Sequence, residues 1–193
     1  MTVYPLEITD LLLIQTIIHR DQRGFFMERF REDEFRSHNI PCTFVQDNHS
    51  RSHPGVLRGL HLQRSPVQGK LVSVAHGSIW EVAVDLRPDS PTFRRWFGTD
   101  LSDANGRMLW IPPGFADGFC VPGNEPADVV YRVDSVYNRQ GEAGIHWADP
   151  EIGIAWPIRS PTISERDRNL PRLASINLES MWEELYANTA DVL

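Results

Sequence analysis

Between residues 54 and 123, proline and glycine interrupt the chain at short intervals: Pro54-Gly55, His76-Gly77, Pro88, Pro91, Pro112-Pro113-Gly114 and Pro122-Gly123. Proline ends a helix and glycine weakens one, so long helices do not fit between these breaks. Short extended segments do, and apolar runs fill residues 56–60, 71–75, 79–86, 94–101, 107–111, 119–121 and 129–136. Upstream, residues 11–18 read as a buried strand closed by a turn at 21–24. Extended structure resumes over 24–30, and residues 43–48 form a strand that runs into a polar end. Many short strands without alternating helices predict an all-β sandwich or barrel, not βαβ units. Helix is expected over residues 32–38, with Phe35 toward the core. A C-terminal amphipathic helix is expected over 179–188, with Met181, Trp182, Leu185 and Tyr186 on its packing stripe.

The 193 residues, 41% apolar and 23% charged, suit one globular domain over 1–193, with a core of about 12–173 and a helical tail of about 176–190. No apolar run is long enough to span a bilayer, and Glu7 and Asp10 precede the first one, against the layout of a signal peptide. Cys42 and Cys120 lack a CxxC spacing, which suits a reducing cytoplasm and counts against a disulfide framework. A cytoplasmic location is therefore expected, with no membrane partner. Net charge of −7 argues against nucleic acid. An anionic ligand would need a local cationic pocket.

One stretch offers such a pocket. Val56-Leu57-Arg58-Gly59-Leu60-His61-Leu62-Gln63, followed by Gln68-Gly69-Lys70-Leu71, gathers an arginine, a histidine, two glutamines and a lysine. Strand alternation sets Arg58 and Leu60 on one face and Gly59 and His61 on the other, unless a bulge intervenes. Two readings are open here: a strand end facing a pocket, or a satisfied core histidine beside surface cations. Metal chemistry is testable by motif. Double-stranded β-helix proteins of the cupin type bind metal through HxH…E and PxGxxH patterns. The corresponding words are His61-Leu62-Gln63 and Pro112-Pro113-Gly114-Phe115-Ala116-Asp117. One imidazole remains and glutamine is a poor ligand, so no metal and no cofactor are expected, and proton transfer and hydrogen bonding carry the chemistry.

From Leu12 to Leu173 the chain resembles the dTDP-4-dehydrorhamnose 3,5-epimerase family. The matching words, in order, include Asp21-Gln22-Arg23-Gly24-Phe25-Phe26-Met27-Glu28, Phe44-Val45-Gln46-Asp47-Asn48-His49-Ser50, the pocket stretch itself, Val82-Ala83-Val84-Asp85-Leu86-Arg87, Leu109-Trp110-Ile111-Pro112 and Ser164-Glu165-Arg166-Asp167. The resemblance implies a cupin-like double-stranded β-helix, or jelly roll, with a few short helices. It implies cofactor-free epimerisation of a nucleotide-linked 4-keto-6-deoxyhexose, by proton abstraction next to the C4 ketone. In that scheme His61 is the base, Asp167 its partner, Tyr131 the acid on the opposite sugar face, and Lys70 the cation for the enolate oxygen. Arg23 and Arg58 contact the nucleotide or diphosphate, with Glu28, Gln46 and Asn48 nearby and Glu142 and Arg166 as further contacts. Tyr137 takes the place of a ring that stacks on thymine. Family members are homodimers in which an N-terminal segment completes the partner's site, so Arg23, Phe26 and Glu28 are expected to act in trans.

One position departs from the pattern. Where the family reads Gly-Phe-Ala-His-Gly-Phe, this chain has Gly114-Phe115-Ala116-Asp117-Gly118-Phe119. Asp117 replaces a donor to the sugar with an acceptor. It is expected to hold a sugar hydroxyl and to slow a second inversion. An epimerase specific for C3 or C5 alone, a sugar-nucleotide binder without catalysis, and a metal-dependent cupin isomerase or oxygenase are the alternatives.

Overall fold

The structure, a computed structural model, describes residues 1–177 and Trp182. Thirteen strands carry it. The N-terminal four are β1 (Thr2–Pro5), β2 (Leu12–Gln15), β3 (Ile18–Asp21) and β4 (Gly24–Met27), and helix α1 (Glu32–Ser37) follows. Then come β5 (Gln46–Ser52), β6 (Leu57–Gln63), β7 (Lys70–His76), β8 (Ser78–Asp85) and β9 (Trp96–Ser102). The last four are β10 (Arg107–Ile111), β11 (Phe115–Cys120), β12 (Ala127–Val133) and β13 (Glu142–Gly144), before the short helix α2 (Glu165–Arg168). One sheet runs β1-β2-β10-β7-β12-β5 and the other β13-β6-β11-β8-β9, all pairs antiparallel. The two face each other as a jelly roll, as expected of the cupin type.

Alternation along each strand builds three apolar layers. Val72, Val74, Ile79, Ala83, Phe115, Phe119 and Val129 fill the space between the sheets. Leu60, Leu62, Val82 and Val84 face outward from the second sheet and are covered by Trp80, Trp156 and Trp182. Leu71, Met108 and Trp110 face outward from the first, under Phe35 of α1. Each sheet is thus apolar on both faces, which is why its strands read as near-continuous apolar runs rather than alternating ones. The Trp182 indole N–H donates to the Leu86 carbonyl at 2.9 Å. The rest of the helix expected over 179–188 lies outside the described residues. No helix among the described residues is long and apolar enough to cross a membrane.

Several boundaries differ from the sequence reading. The expected strand over 11–18 is two strands, because the chain leaves the first sheet at Thr16, whose hydroxyl donates to the Gly106 carbonyl at 2.7 Å. It then forms the β3–β4 hairpin, which pairs with no other strand among the described residues. The strand expected over 43–48 starts at Gln46 and runs to Ser52, following its partner β12. The strand expected at 119–121 begins at Phe115; Asp117 and Gly118 hide its first half by breaking the apolar run.

The feature that positions the site lies between β6 and β11. Asp117 pairs with His61, but two residues further along β11 Phe119 pairs with Arg58, three residues back on β6. The extra residue is a β-bulge, and it turns Arg58 and His61 to the same face. Simple alternation had placed them on opposite faces. The strands touch backbone to backbone here. A Cβ on Gly59 would stand 2.7 Å from Gly118 Cα and 2.9 Å from the Asp117 carbonyl oxygen, at a φ of +125°. Gly59→Ala should therefore cost at least about 1–3 kcal/mol of stability, seen as a lower urea midpoint. An unchanged midpoint would show that the strands do not approach this closely.

Candidate active site

A cleft of about 220 Å³ opens between the sheets, with Arg58, His61, Glu81 and Asp117 on one wall and Ser50, Lys70 and Tyr131 on the other. His61 is thus a cleft residue and not a core histidine. Its orientation comes from α2. Ser164 caps this helix, its hydroxyl accepting from the Asp167 N–H at 3.0 Å, and the cap holds Asp167 against β6. Asp167 Oδ1 lies 2.7 Å from His61 Nε2, and Oδ2 accepts from the Gly59 N–H at 3.3 Å. Burial works against the Asp167 charge, but the bonds from His61, Gly59 and Ser164 outweigh it and hold the carboxyl below its ordinary range. An ionised Asp167 accepts a hydrogen bond from an Nε2–H, so Nδ1 is the nitrogen left to act as a base.

Lys70 opens β7 and reaches across to Asp117, its ammonium in direct contact with Oδ1. Burial works against the charge of this amine; the carboxylate beside it outweighs that effect and raises its pKa overall. Asp117 is therefore not an isolated acceptor waiting for a sugar hydroxyl. One of its oxygens is already engaged by the lysine. Tyr131 sits on β12, on the wall facing His61, and burial lifts its phenol further above neutrality, so it carries its proton. A base on one wall and a proton-bearing phenol on the other is the arrangement that inversion at carbon requires.

The rim is built from short polar links. The Tyr137 hydroxyl donates to Glu142 Oε2 at 2.6 Å, and Arg166 holds Glu142 Oε1 at 2.5 Å. Burial opposes the Glu142 charge, yet Arg166 and Tyr137 bring its pKa below the ordinary value. Gln46 accepts from the Tyr137 N–H at 2.9 Å and donates to Asn48 at 2.8 Å. Arg58 donates to Ser52 Oγ at 2.9 Å and to the Arg51 carbonyl at 3.3 Å. These contacts leave the face of the half-exposed Tyr137 ring open.

Three expected residues do not reach the cleft of their own chain. Arg23 and Phe26 lie on the β3–β4 hairpin and Glu28 just beyond it. Arg23 pairs with Asp21 at 2.6 Å, Glu28 pairs with Arg31 at 3.3 Å, and Phe26 is 68% exposed. Gln63, which falls where a metal cupin has histidine, ties loops instead. It donates to the Pro66 and Val136 carbonyls and accepts from the Asn138 N–H at 2.7 Å. Among the described residues no group of three His, Cys, Asp or Glu side chains could hold a metal ion. Two cleft residues with polar side chains escaped the sequence reading, Ser50 and Glu81. Glu81 had left a signal: a carboxylate in step with Ile79 and Ala83, inside an otherwise apolar strand.

Comparison with known proteins agrees with this geometry. The family model described as dTDP-4-dehydrorhamnose 3,5-epimerase matches residues 5–175. The dTDP-4-dehydrorhamnose 3,5-epimerase of Shigella flexneri is 48% identical over 171 residues, 88% of this chain and 94% of that protein. A dTDP-6-deoxy-D-glucose-3,5-epimerase from Legionella pneumophila, solved in complex with dTDP-4-keto-L-rhamnose, matches with a TM-score of 0.88 at 43% identity, over 92% of this chain and 95% of that one. A 3'-monoepimerase from Streptomyces bikiniensis, solved in complex with dTDP-quinovose, reaches a TM-score of 0.87 at 30% identity, over 97% of this chain and 98% of that one. With its jelly roll, its cleft and a match over nearly all its length, this chain belongs to the dTDP-4-dehydrorhamnose 3,5-epimerase family of isomerases.

Proposed function

We propose that the protein epimerises a dTDP-linked 4-keto-6-deoxyhexose at carbons flanking the C4 ketone. The observation that carries this reading is the 2.7 Å His61–Asp167 contact in a cleft whose facing wall presents Tyr131. His61 Nδ1 takes the proton, and Asp167 steadies the imidazolium that results. The electron pair of the C–H bond moves into an enolate, whose oxygen lies toward Lys70. Tyr131 then protonates the carbon from the other face. A base alone could not ionise so weak a carbon acid near neutrality, which is why the cation beside the oxygen matters.

The other polar groups suit the nucleotide half. The Arg58 guanidinium offers paired donors for a diphosphate. Tyr137, held by Glu142 and Arg166, offers a ring for base stacking, with Gln46 and Asn48 beside it. The β3–β4 hairpin is read as reaching the cleft of a second copy, which brings Arg23, Phe26 and Glu28 to the diphosphate and base. Its exposed Ile17, Phe25 and Phe26 support that reading, since apolar clusters on a hairpin this short call for a cover. Asp117 favours a second reading, in which one carbon is inverted faster than the other. The carboxylate tied to Lys70 fixes one edge of the sugar and resists the ring movement that a second inversion needs.

The decisive experiment is NMR of dTDP-4-keto-6-deoxyglucose with the protein in D₂O, recording which carbons exchange. Exchange at C3, C5 or both is expected; none at either would end the epimerase reading. His61→Ala should lower that exchange by on the order of 10² to 10⁴ while dTDP binding persists, and a wild-type rate in the variant would remove His61 from the mechanism. Activity should survive exhaustive chelation, because the metal positions of related cupins hold Gln63 and Asp117 here. Loss with EDTA that one divalent ion restores would overturn that expectation.

Acid should reveal the role of Asp167. Its folded-state pKa is depressed, so its contribution to stability is full above its ordinary value of 3.8 and is lost as pH falls through the lower folded value. Asp167→Asn should therefore be less stable than the wild type at neutral pH, and the gap in urea midpoint should close in acid. A gap that stayed constant down the titration would mean that Asp167 is not held ionised.

A further inference from the structure

The cleft holds one carboxyl that none of these roles uses. Glu81 lies in the middle of β8 and faces the space between the sheets, as Ile79 and Ala83 do. It is 1% exposed, and neither of its oxygens has a hydrogen-bond partner among the described residues, yet it lines the cleft with Lys70 and Asp117. Of its two neighbours in register, Phe119 on β11 has no polar side-chain atom, and Thr99 on β9 has a hydroxyl that makes no hydrogen bond to it. A buried polar group without a partner is costly and uncommon, and in a ligand site it marks a position that the ligand completes.

Charge decides which form of Glu81 is present. Lys70 is matched one-to-one by Asp117, so an ionised Glu81 would add a second negative charge with no donor to hold it. Burial pushes its pKa well above the carboxylate range; Asp117 pushes the same way, and Lys70 opposes them without prevailing. A neutral carboxylic acid has what an ionised one lacks, an O–H to donate. Apolar surroundings that keep an acid neutral so that it can donate to an oxyanion are a known catalytic device. The need for one is visible here, because Asp117 cancels much of the field that Lys70 would exert on an enolate.

We propose that Glu81, in its acid form, is a further donor of this active site, giving its O–H to the sugar oxygen on which negative charge builds. This deepens the epimerase reading and rests on it. Glu81 keeps its proton throughout: the proton leaving carbon goes to His61, the C–H electron pair enters the enolate, and the Glu81 hydrogen bond shortens as charge develops.

Two variants test it. Glu81→Gln keeps a donor but cannot ionise, and Glu81→Leu removes the donor at similar volume. The infrared difference spectrum of wild type minus Glu81→Gln at neutral pH should contain the carbonyl band of a protonated acid. Both variants should bind dTDP as the wild type does. Deuterium exchange into dTDP-4-keto-6-deoxyglucose should fall on the order of 10²-fold in Glu81→Leu, through kcat rather than KM, and by less in Glu81→Gln. Carboxylate bands alone in the difference spectrum would overturn the proposal, even if Glu81→Leu failed to fold. So would wild-type exchange in Glu81→Leu, or equal losses in both variants. Absence of exchange in the wild-type protein is a different failure, of the epimerase reading itself.

Discussion

The site depends on two glycines meeting across β6 and β11. A Cβ on Gly118 would stand 2.6 Å from the Arg58 carbonyl oxygen, and one on Gly59 would strike Gly118 Cα. With no side chains between them, the strands close up and the bulge forms. The bulge places Arg58 and His61 on one face, so a guanidinium and an imidazole share one cleft, as the proposed roles of a phosphate-binding cation and a base require. The freed Gly59 N–H turns to Asp167, which also takes His61 Nε2. One carboxylate thus fixes both the strand and the ring it presents. The orientation of the base is a property of the backbone as much as of the side chains.

Around that contact the two sheets divide the chemistry. The β6–β11–β8 wall supplies the base and two carboxyls, and the β7–β12 wall supplies the lysine and the phenol. Facing walls let a proton leave one side of a carbon held between them and return to the other. Neither wall could do this alone, because strand neighbours on one sheet present their groups from one side. The jelly roll puts the cleft between its sheets, which the proposed inversion needs, and its apolar layer of Val72, Phe119 and Val129 makes the polar groups there count for more than they would in water.

Much of this was legible in the sequence, and the gaps have physical reasons. Proline and glycine spacing gave an all-β sandwich, because local breaks are a local property; β10 was read to the residue and α1 to within one. The facing of Arg58 against His61 was misread, because a bulge is set by the partner strand and leaves no periodic trace. β1 and β13 were missed, each being three or four residues on a sheet edge, where no period can be measured. Helix α2 is a single turn, so Asp167 entered only through the family resemblance and its capping serine through the structure. Glu81 was hidden differently. Its strand reads as apolar, and the parity that aims its side chain inward becomes meaningful only once the inner face is known.

Asp117, at the position where the family resemblance expects histidine, poses a charge problem that the cleft solves locally. A carboxylate facing a developing enolate would oppose it, and burying one unpaired would be costly. Lys70 answers from the opposite sheet by direct contact. That contact makes the pair nearly neutral, which leaves no compensation for a third charge. The second carboxyl on the same wall, Glu81, is pushed toward its acid form by burial first and by Asp117 next, against the pull of Lys70. The one lysine on the facing wall is taken up by Asp117, and what remains of its field does not offset the burial that favours the neutral acid at Glu81.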